Sequence, residues 1–292
     1  MSTVLITGTS RGIGLETALA FARAGHTVFA TMRNPSASPE LAEIASREHL
    51  PITIHTMDVD SDSSVSSAVT AIQSQEPIDI LVNNAGIERA GAVEELPLAE
   101  FKAVMETNYF GAIRCVRAVV PNMRQRRSGC IINVTSVAGR IASAPLTPYM
   151  ASKWALEALT EGLAGEMKMF NVRVAMIEPG IIDTSMARSI GTSATTSPYP
   201  HRDRFASIFA TALKHPTPPS LVAQKILEVA ESDSWQLRHP VGPDAVPFLQ
   251  WRSRMSDEEW VAYNASDDET FFQNFERDFG LDARPKVEEI KA

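Results

Sequence analysis

The sequence predicts an α/β fold: a doubly wound parallel sheet with helices on both faces. Over the first 180 residues, short strand-like runs alternate with longer helix-like segments. The strand-like runs are apolar almost throughout, as expected of parallel strands covered on both sides. Gly8, Asn83, Ser136 and Pro179 stand just past the first, fourth, fifth and sixth of these runs. In such a sheet they gather beyond the carboxyl ends of the strands, where ligands bind.

The elements follow in order. Thr3–Thr7 is the first strand, and 12–24 is a helix with Ile13, Ala20 and Ala24 among its apolar positions and Gly25 as its stop. Thr27–Met32, 52–57, 78–82, 130–135 and 172–177 supply strands two to six. Helices are expected at 39–49, 62–75, 97–127 and 149–170. The character changes after Gly180: 185–219 is rich in Ser, Thr and Pro with scattered apolar residues, an irregular insertion that is either a substrate lid or simply mobile. Its place beside the edge formed by strand six favours the lid. A helix at 220–231 and a last strand at 236–241 complete a core of residues 1–243. Residues 244–292 read as an acidic helical extension of the same single domain. In it Phe271, Phe272, Phe275 and Phe279 are helically spaced, a pattern of core or subunit-interface packing.

Composition narrows the function classes. With 27 basic and 35 acidic residues the chain carries −8, which argues against a nucleic-acid binder. Residues 256–292 hold eleven acidic and four basic residues, so −7 of that charge sits there and reads as a solvated surface. Two cysteines, Cys115 and Cys130, form no disulfide framework and fit a reducing, cytoplasmic setting. The first residues enter a strand directly, with no signal-peptide pattern, and no run is long and apolar enough to span a membrane. The six histidines show no metal-ligand spacing, so no metal is expected.

The segment from Thr7 to Gly14 lies between strand one and helix one. Gly8 permits a tight turn, Gly12 lets backbone approach a pyrophosphate, and Gly14 lets helix pack on strand. With Ser10, Arg11 and Ile13 they place phosphates at a helix N-terminus, where free N–H groups point outward. Strand two ends at Arg33, where a site for NAD(H) usually carries an acidic residue for the ribose 2′-hydroxyl. Arg33, joined by Arg11, instead suits a 2′-phosphate, so NADP(H) is preferred over NAD(H). Asp58, followed by Val59, either meets the adenine amino group or caps the next helix.

Tyr149 and Lys153 are spaced i, i+4 and share a helix face. A free tyrosine titrates near pH 10, at about 10, and a neighbouring ammonium lowers that value toward acid–base use. Ser136, just past strand five, can hydrogen-bond a carbonyl or a developing alkoxide. Asn108 could hold a water linking Lys153 to solvent.

Together these motifs make the chain resemble the short-chain dehydrogenase/reductase family. The match rests on Thr7-Gly-x-x-x-Gly-x-Gly14, Asn83-Asn84-Ala85-Gly86, Asn108, Ser136, Tyr149-x-x-x-Lys153 and Pro179-Gly180, over roughly residues 3–241. The resemblance implies a Rossmann-type sheet, a catalytic tetrad of Asn108, Ser136, Tyr149 and Lys153, nicotinamide-ribose binding by Lys153, and cofactor contact by Tyr149 as well. It also implies that Asn84, Ala85 and Gly86 line the adenosine side, with Pro179, Gly180, the Ile182 backbone and the Thr184 hydroxyl near the carboxamide and phosphates. The segments 30–34 and 237–245 are similar to the branch containing 17β-hydroxysteroid and retinol dehydrogenases. Family members usually form homodimers or homotetramers through the fourth and fifth helices.

The expected substrate pocket has Val137, Ile141, Ala142, Ala144, Leu146, Ile181, Met186, Phe205 and Phe209 as walls. The set is apolar, so the expected reaction interconverts a hydrophobic ketone or aldehyde with its alcohol, using Tyr149 as acid and base. Arg140 finds no place in this pocket. Two other classes compete: an NADP(H)-sensing binding protein without turnover, and a lyase or epimerase that uses bound cofactor on an activated sugar. The intact Ser-Tyr-Lys set speaks against the first and the short acidic tail against the second.

Overall fold

A computed structural model of the chain describes residues 1–192 and 197–285. Seven strands form one parallel sheet in the order β3-β2-β1-β4-β5-β6-β7. They are β1 Thr3–Thr7, β2 Thr27–Met32, β3 Ile52–Thr56, β4 Ile80–Asn83, β5 Gly129–Val134, β6 Val172–Pro179 and β7 Arg238–Val241. Strand side chains alternate between faces, and the two faces bury different partners. Val4, Ile6, Val28, Ala30, Val82 and Ile132 pack on one face against helices α1 (Gly12–Arg23), α2 (Glu40–Glu48) and α9 (Pro219–Glu231). Leu5, Phe29, Leu81 and Ile131 pack on the other against α3 (Asp62–Gln73), α5 (Gly111–Arg126) and α6 (Thr147–Lys168). The sheet is therefore doubly wound, and the strand order reverses between β1 and β4, where a crevice opens beyond the carboxyl ends.

Two regions differ from expectation. The single helix expected at 97–127 is α4 (Leu98–Met105), one wide π turn over Glu106–Phe110, and α5. Such a turn inserts one extra residue per turn and redirects the side chains on it; Asn108 sits there. The expected irregular lid instead holds two helices, α7 (Ser185–Gly191) and α8 (His201–Ala212), with Ala187, Ile190, Ala206 and Ile208 facing inward. Residues 193–196 of the expected lid and 286–292 of the expected extension lie outside the described residues.

The C-terminal segment forms α10 (Ala245–Ser253), α11 (Asp257–Ala265) and α12 (Asp268–Phe279). Ser256 and Glu259 form a reciprocal cap at the start of α11, Asp267 caps α12, and Gly280 closes α12 at a φ of 65°. Phe271, Phe272 and Phe275 are buried with Tyr263 and with Ile208 from α8. Each buried phenylalanine contributes roughly 1.5–3 kcal/mol by transfer from water, which holds these helices against α8. Among the described residues no helix is long and apolar enough to cross a membrane.

Candidate functional site

The glycine loop is pinned from beneath. The Thr7 hydroxyl accepts the backbone N–H groups of Asn84 and Ala85, each at 3.0 Å. The Asn84 side-chain amide donates to the carbonyls of Thr7 (2.9 Å) and Gly8 (3.0 Å). Asn84 thus clamps strand four's end to the loop. Gly8 has a φ of 70°, and a Cβ there would sit 2.7 Å from the Ala85 Cα. A Cβ on Gly14 would sit 2.2 Å from the Gly8 carbonyl oxygen. No side chain caps the start of α1, so its first N–H groups remain available to a ligand.

One cavity of about 390 Å³ extends from this loop across the sheet edge to the C-terminal helices. It is lined by Gly8, Ser10, Arg11, Gly12, Ile13, Gly14, Arg33, Asp58, Val59, Asn84, Ala85 and Gly86 at one end. Ser136, Tyr149, Lys153, Pro179, Gly180, Ile182 and Thr184 line its middle. Arg11 and Arg33 are exposed, and among the described residues neither has an ion-pair partner, as suits two guanidinium groups meeting a phosphate. Asp58 does not cap the next helix. The Ser61 hydroxyl does so, accepting the Ser64 N–H at 3.3 Å, while Asp58 accepts the Asp60 N–H at 3.1 Å. The Thr184 hydroxyl caps α7 by accepting the Ala187 N–H at 3.2 Å, which leaves its proton free to donate. The open helix terminus and the glycine cradle fit a nicotinamide dinucleotide.

Pro179-Gly180 is held by a residue outside the expected site. Asp244 accepts the Ile181 N–H at 2.7 Å, and a Cβ on Gly180 would lie 2.2 Å from its Oδ1. Burial pushes the Asp244 carboxyl up from its ordinary value, and that N–H bond opposes the shift.

Helix α6 is anchored to the sheet by a buried relay. Asn83 donates to Asn133 at 2.9 Å, and Asn133 donates to the Thr160 hydroxyl at 2.8 Å. This fixes the face that carries Tyr149 and Lys153. The Lys153 ammonium donates to the Val134 carbonyl at 2.8 Å and lies 5.5 Å from the centre of the Tyr149 ring. The expected lowering of the tyrosine by the lysine is not what the geometry produces. Burial dominates and pushes the Tyr149 hydroxyl up to about 12; a hydrogen bond with Ser136 opposes the rise and the Glu88 carboxylate adds to it. Burial also brings Lys153 down to about 8. Taking two groups out of water favours their uncharged forms more than their separation can offset.

Asn108 stands behind the cavity wall. It is buried and does not line the cavity. Its amide donates to the Ile87 carbonyl and to the Ser152 hydroxyl, both at 2.9 Å, and its carbonyl accepts the Ile87 N–H at 2.8 Å. The π turn thereby ties the strand-four loop to α6, one residue from Lys153.

Beyond Tyr149 the cavity wall is mostly apolar, with His201, Arg204 and Asn264 among its polar members. Val137, Ile141, Ala144, Leu146, Ile181, Met186, Phe205 and Phe209 all line it. Ala142 does not: it is exposed, and its carbonyl accepts the indole N–H of Trp260 at 2.7 Å. Arg140 lies outside as well, its guanidinium 3.7 Å from the buried Glu178 carboxylate. The remaining wall comes from the C-terminal helices through Phe248, Trp251, Trp260, Asn264, Phe271 and Phe275. The phenylalanine stripe was visible in the sequence, but its target was not. Arg204 of α8 fastens this roof, donating to Asp268 (2.6 Å) and the Ser266 carbonyl (2.7 Å) with its guanidinium 4.9 Å from the Phe271 ring centre. His201, which also lines the cavity, lies 3.1 Å from the Asn264 carbonyl. Among the described residues no three His, Cys, Asp or Glu side chains cluster to hold a metal.

Residues 2–195 match the family model described as short chain dehydrogenase. The chain is 34% identical to the oxidoreductase YusZ of Bacillus subtilis (strain 168), over 88% of this chain and 94% of that protein. It is 41% identical to retinol dehydrogenase 8 of Bos taurus over 69% of this chain, spanning 65% of that protein's length. Among solved structures, a short-chain dehydrogenase from Streptomyces avermitilis superposes with a TM-score of 0.75 at 30% identity, covering 91% of this chain and 98% of that one.

Proposed function

The chain is an oxidoreductase of the short-chain dehydrogenase family, and from that premise we propose that it interconverts a hydrophobic ketone or aldehyde and its alcohol with NADP(H). The observation that carries the reading is the Ser136–Tyr149 hydroxyl pair set between a phosphate-binding cleft and an apolar chamber. A nicotinamide bound in this cleft would supply hydride chemistry to the carbonyl. The two hydroxyls hold the carbonyl oxygen by hydrogen bonds, and Tyr149 gives that oxygen its proton in reduction and takes it back in oxidation. Lys153 fixes the tyrosine's surroundings from the Val134 carbonyl and is proposed to hold the nicotinamide ribose. Asn108 acts behind them, setting the Ile87 loop and Ser152. The apolar chamber excludes water and favours apolar substrates.

The preference for NADP(H) rests on Arg33 and Arg11. Arg33→Asp is expected to shift the ratio of kcat/KM for NADPH over NADH toward NADH by roughly tenfold to a hundredfold, the worth of a charge-assisted contact to phosphate. Steady-state rates with both cofactors check it; an unchanged ratio removes Arg33 from the phosphate site. The reading as a whole is tested by the loss of reduced-nicotinamide absorbance with aromatic, aliphatic, steroid and retinoid carbonyls. Oxidation of NADPH by an apolar ketone supports it. Silence across the panel with NADPH bound favours the alternative, an NADP(H)-sensing protein without turnover.

A cytoplasmic homodimer or homotetramer completes the proposal. Both cysteines are free and buried, which suits a reducing compartment. Phe110 and Trp154, beside α5 and on α6, are 44% and 49% exposed, apolar surface of the kind a second subunit covers.

A further inference from the structure

Glu88 stands in the cavity wall, on the loop that follows Gly86. It is half-buried, and among the described residues it has no ion-pair partner: the neighbouring Arg89 pairs with Glu100, and Arg188 pairs with Asp183. Among the described residues its side chain accepts one hydrogen bond, from the Ser189 hydroxyl of α7 at 3.2 Å. The cavity's other acidic side chains, Asp58 and Asp60, lie at the opposite end with Arg33. Glu88 therefore places a carboxylate without an ion pair in the cavity that Tyr149 lines, on the loop that Asn108 ties to Ser152 of α6. That charge opposes phenolate formation on the tyrosine, so by itself it works against the proposed proton transfer. A half-buried carboxylate with no cation beside it is stabilised when a ligand brings one.

We propose that Glu88 reads the substrate, and that the substrate is a ketone or aldehyde carrying an ammonium group close to the carbonyl and an apolar body. This rests on the oxidoreductase reading given above. The ammonium binds Glu88, the carbonyl oxygen meets Ser136 and Tyr149, and the apolar body extends toward Phe205, Phe209 and Trp260. Bound in this way, the cation also cancels the charge that opposes Tyr149. Carboxylated substrates are repelled by the same group.

The test compares three aryl ketones that differ only at the carbon next to the carbonyl, bearing an ammonium, a hydroxyl or a methyl group, at a pH where the amine is protonated. In the wild-type protein kcat/KM for the ammonium ketone is expected to exceed that of the other two by about tenfold or more, mostly through KM. Glu88→Gln keeps the shape and the capacity to bond Ser189 but loses the charge. It is expected to lower kcat/KM for the ammonium ketone by about tenfold and to raise that for the methyl ketone, so the preference collapses. A wild-type protein that treats the three alike, a hydroxyl ketone that equals the ammonium one, or a preference that survives Glu88→Gln overturns the proposal. Equal losses on all three ketones also overturn it and assign Glu88 to the cofactor. Turnover of the methyl ketone without preference leaves the oxidoreductase reading standing, whereas no turnover of any ketone sinks both.

Discussion

Tyr149→Phe is expected to lower kcat by roughly 10²–10⁴-fold, the range ascribed to a positioned acid or base. The ring is retained, so its contact with the Lys153 ammonium and its packing against Ala138, Leu146 and Met150 survive. The cofactor should therefore still bind, because the phosphate loop and Lys153 are untouched. Fluorescence titration with NADPH and single-turnover rates separate the two effects. Rates within a few fold of wild type would remove Tyr149 from the chemistry. The direction of the tyrosine's shift adds a pH signature. With the hydroxyl pushed up to about 12, Tyr149 keeps its proton across the neutral range, as reduction requires. Oxidation needs the deprotonated form, so its rate in the wild type should climb as pH rises through the alkaline range, and Tyr149→Phe should flatten that climb.

Gly14→Ala is expected to be nearly as damaging, and for a purely steric reason. The added methyl would stand 2.2 Å from the Gly8 carbonyl oxygen and 2.4 Å from the Asn84 side-chain nitrogen. Neither neighbour can yield easily. The Gly8 carbonyl accepts that same nitrogen, which also holds the Thr7 carbonyl, so relief of the clash breaks the clamp under the phosphate loop. Overpacking of this kind costs about 1–3 kcal/mol, and the N-terminus of α1 moves away from the loop it serves. A lower Tm together with weakening of NADPH binding by about tenfold or more is the expected result. Gly162→Ala is the control: a Cβ there meets nothing within 4 Å, and removing a mid-helix glycine should stabilise α6 by about 0.5–1 kcal/mol. Unimpaired NADPH binding by Gly14→Ala would show that helix and loop tolerate greater separation than this packing implies.

What the sequence by itself determined was set by local pattern. The strand-like runs placed all seven strands within a few residues and the sheet in its class, because strands buried on both faces leave little choice of residue. The glycine loop was legible because each glycine answers a backbone requirement that no other residue meets so cheaply, and Tyr149 and Lys153 were legible because helical spacing alone puts them on one face. What failed to show were features that cost the local pattern nothing. One extra residue per turn at Glu106–Phe110 leaves the apolar periodicity of 97–127 intact, yet it turns Asn108 away from the cavity and onto Ile87 and Ser152. Prolines and hydroxyl residues at 185–219 hid helices α7 and α8, whose inward faces carry only a few apolar residues.

Tertiary structure alone decided the far wall of the chamber. Trp260 reaches the Ala142 carbonyl across 118 residues of chain, Arg204 reaches Asp268 across 64, and Asp244 reaches Ile181 across 63. Such partners are chosen by which surfaces the folded sheet leaves uncovered, and not by spacing along the chain. A phenylalanine stripe announces that a helix will bury one face. Only the packed molecule determines that this face closes over Tyr149, and that Glu88 meets the same space as a charge without a partner.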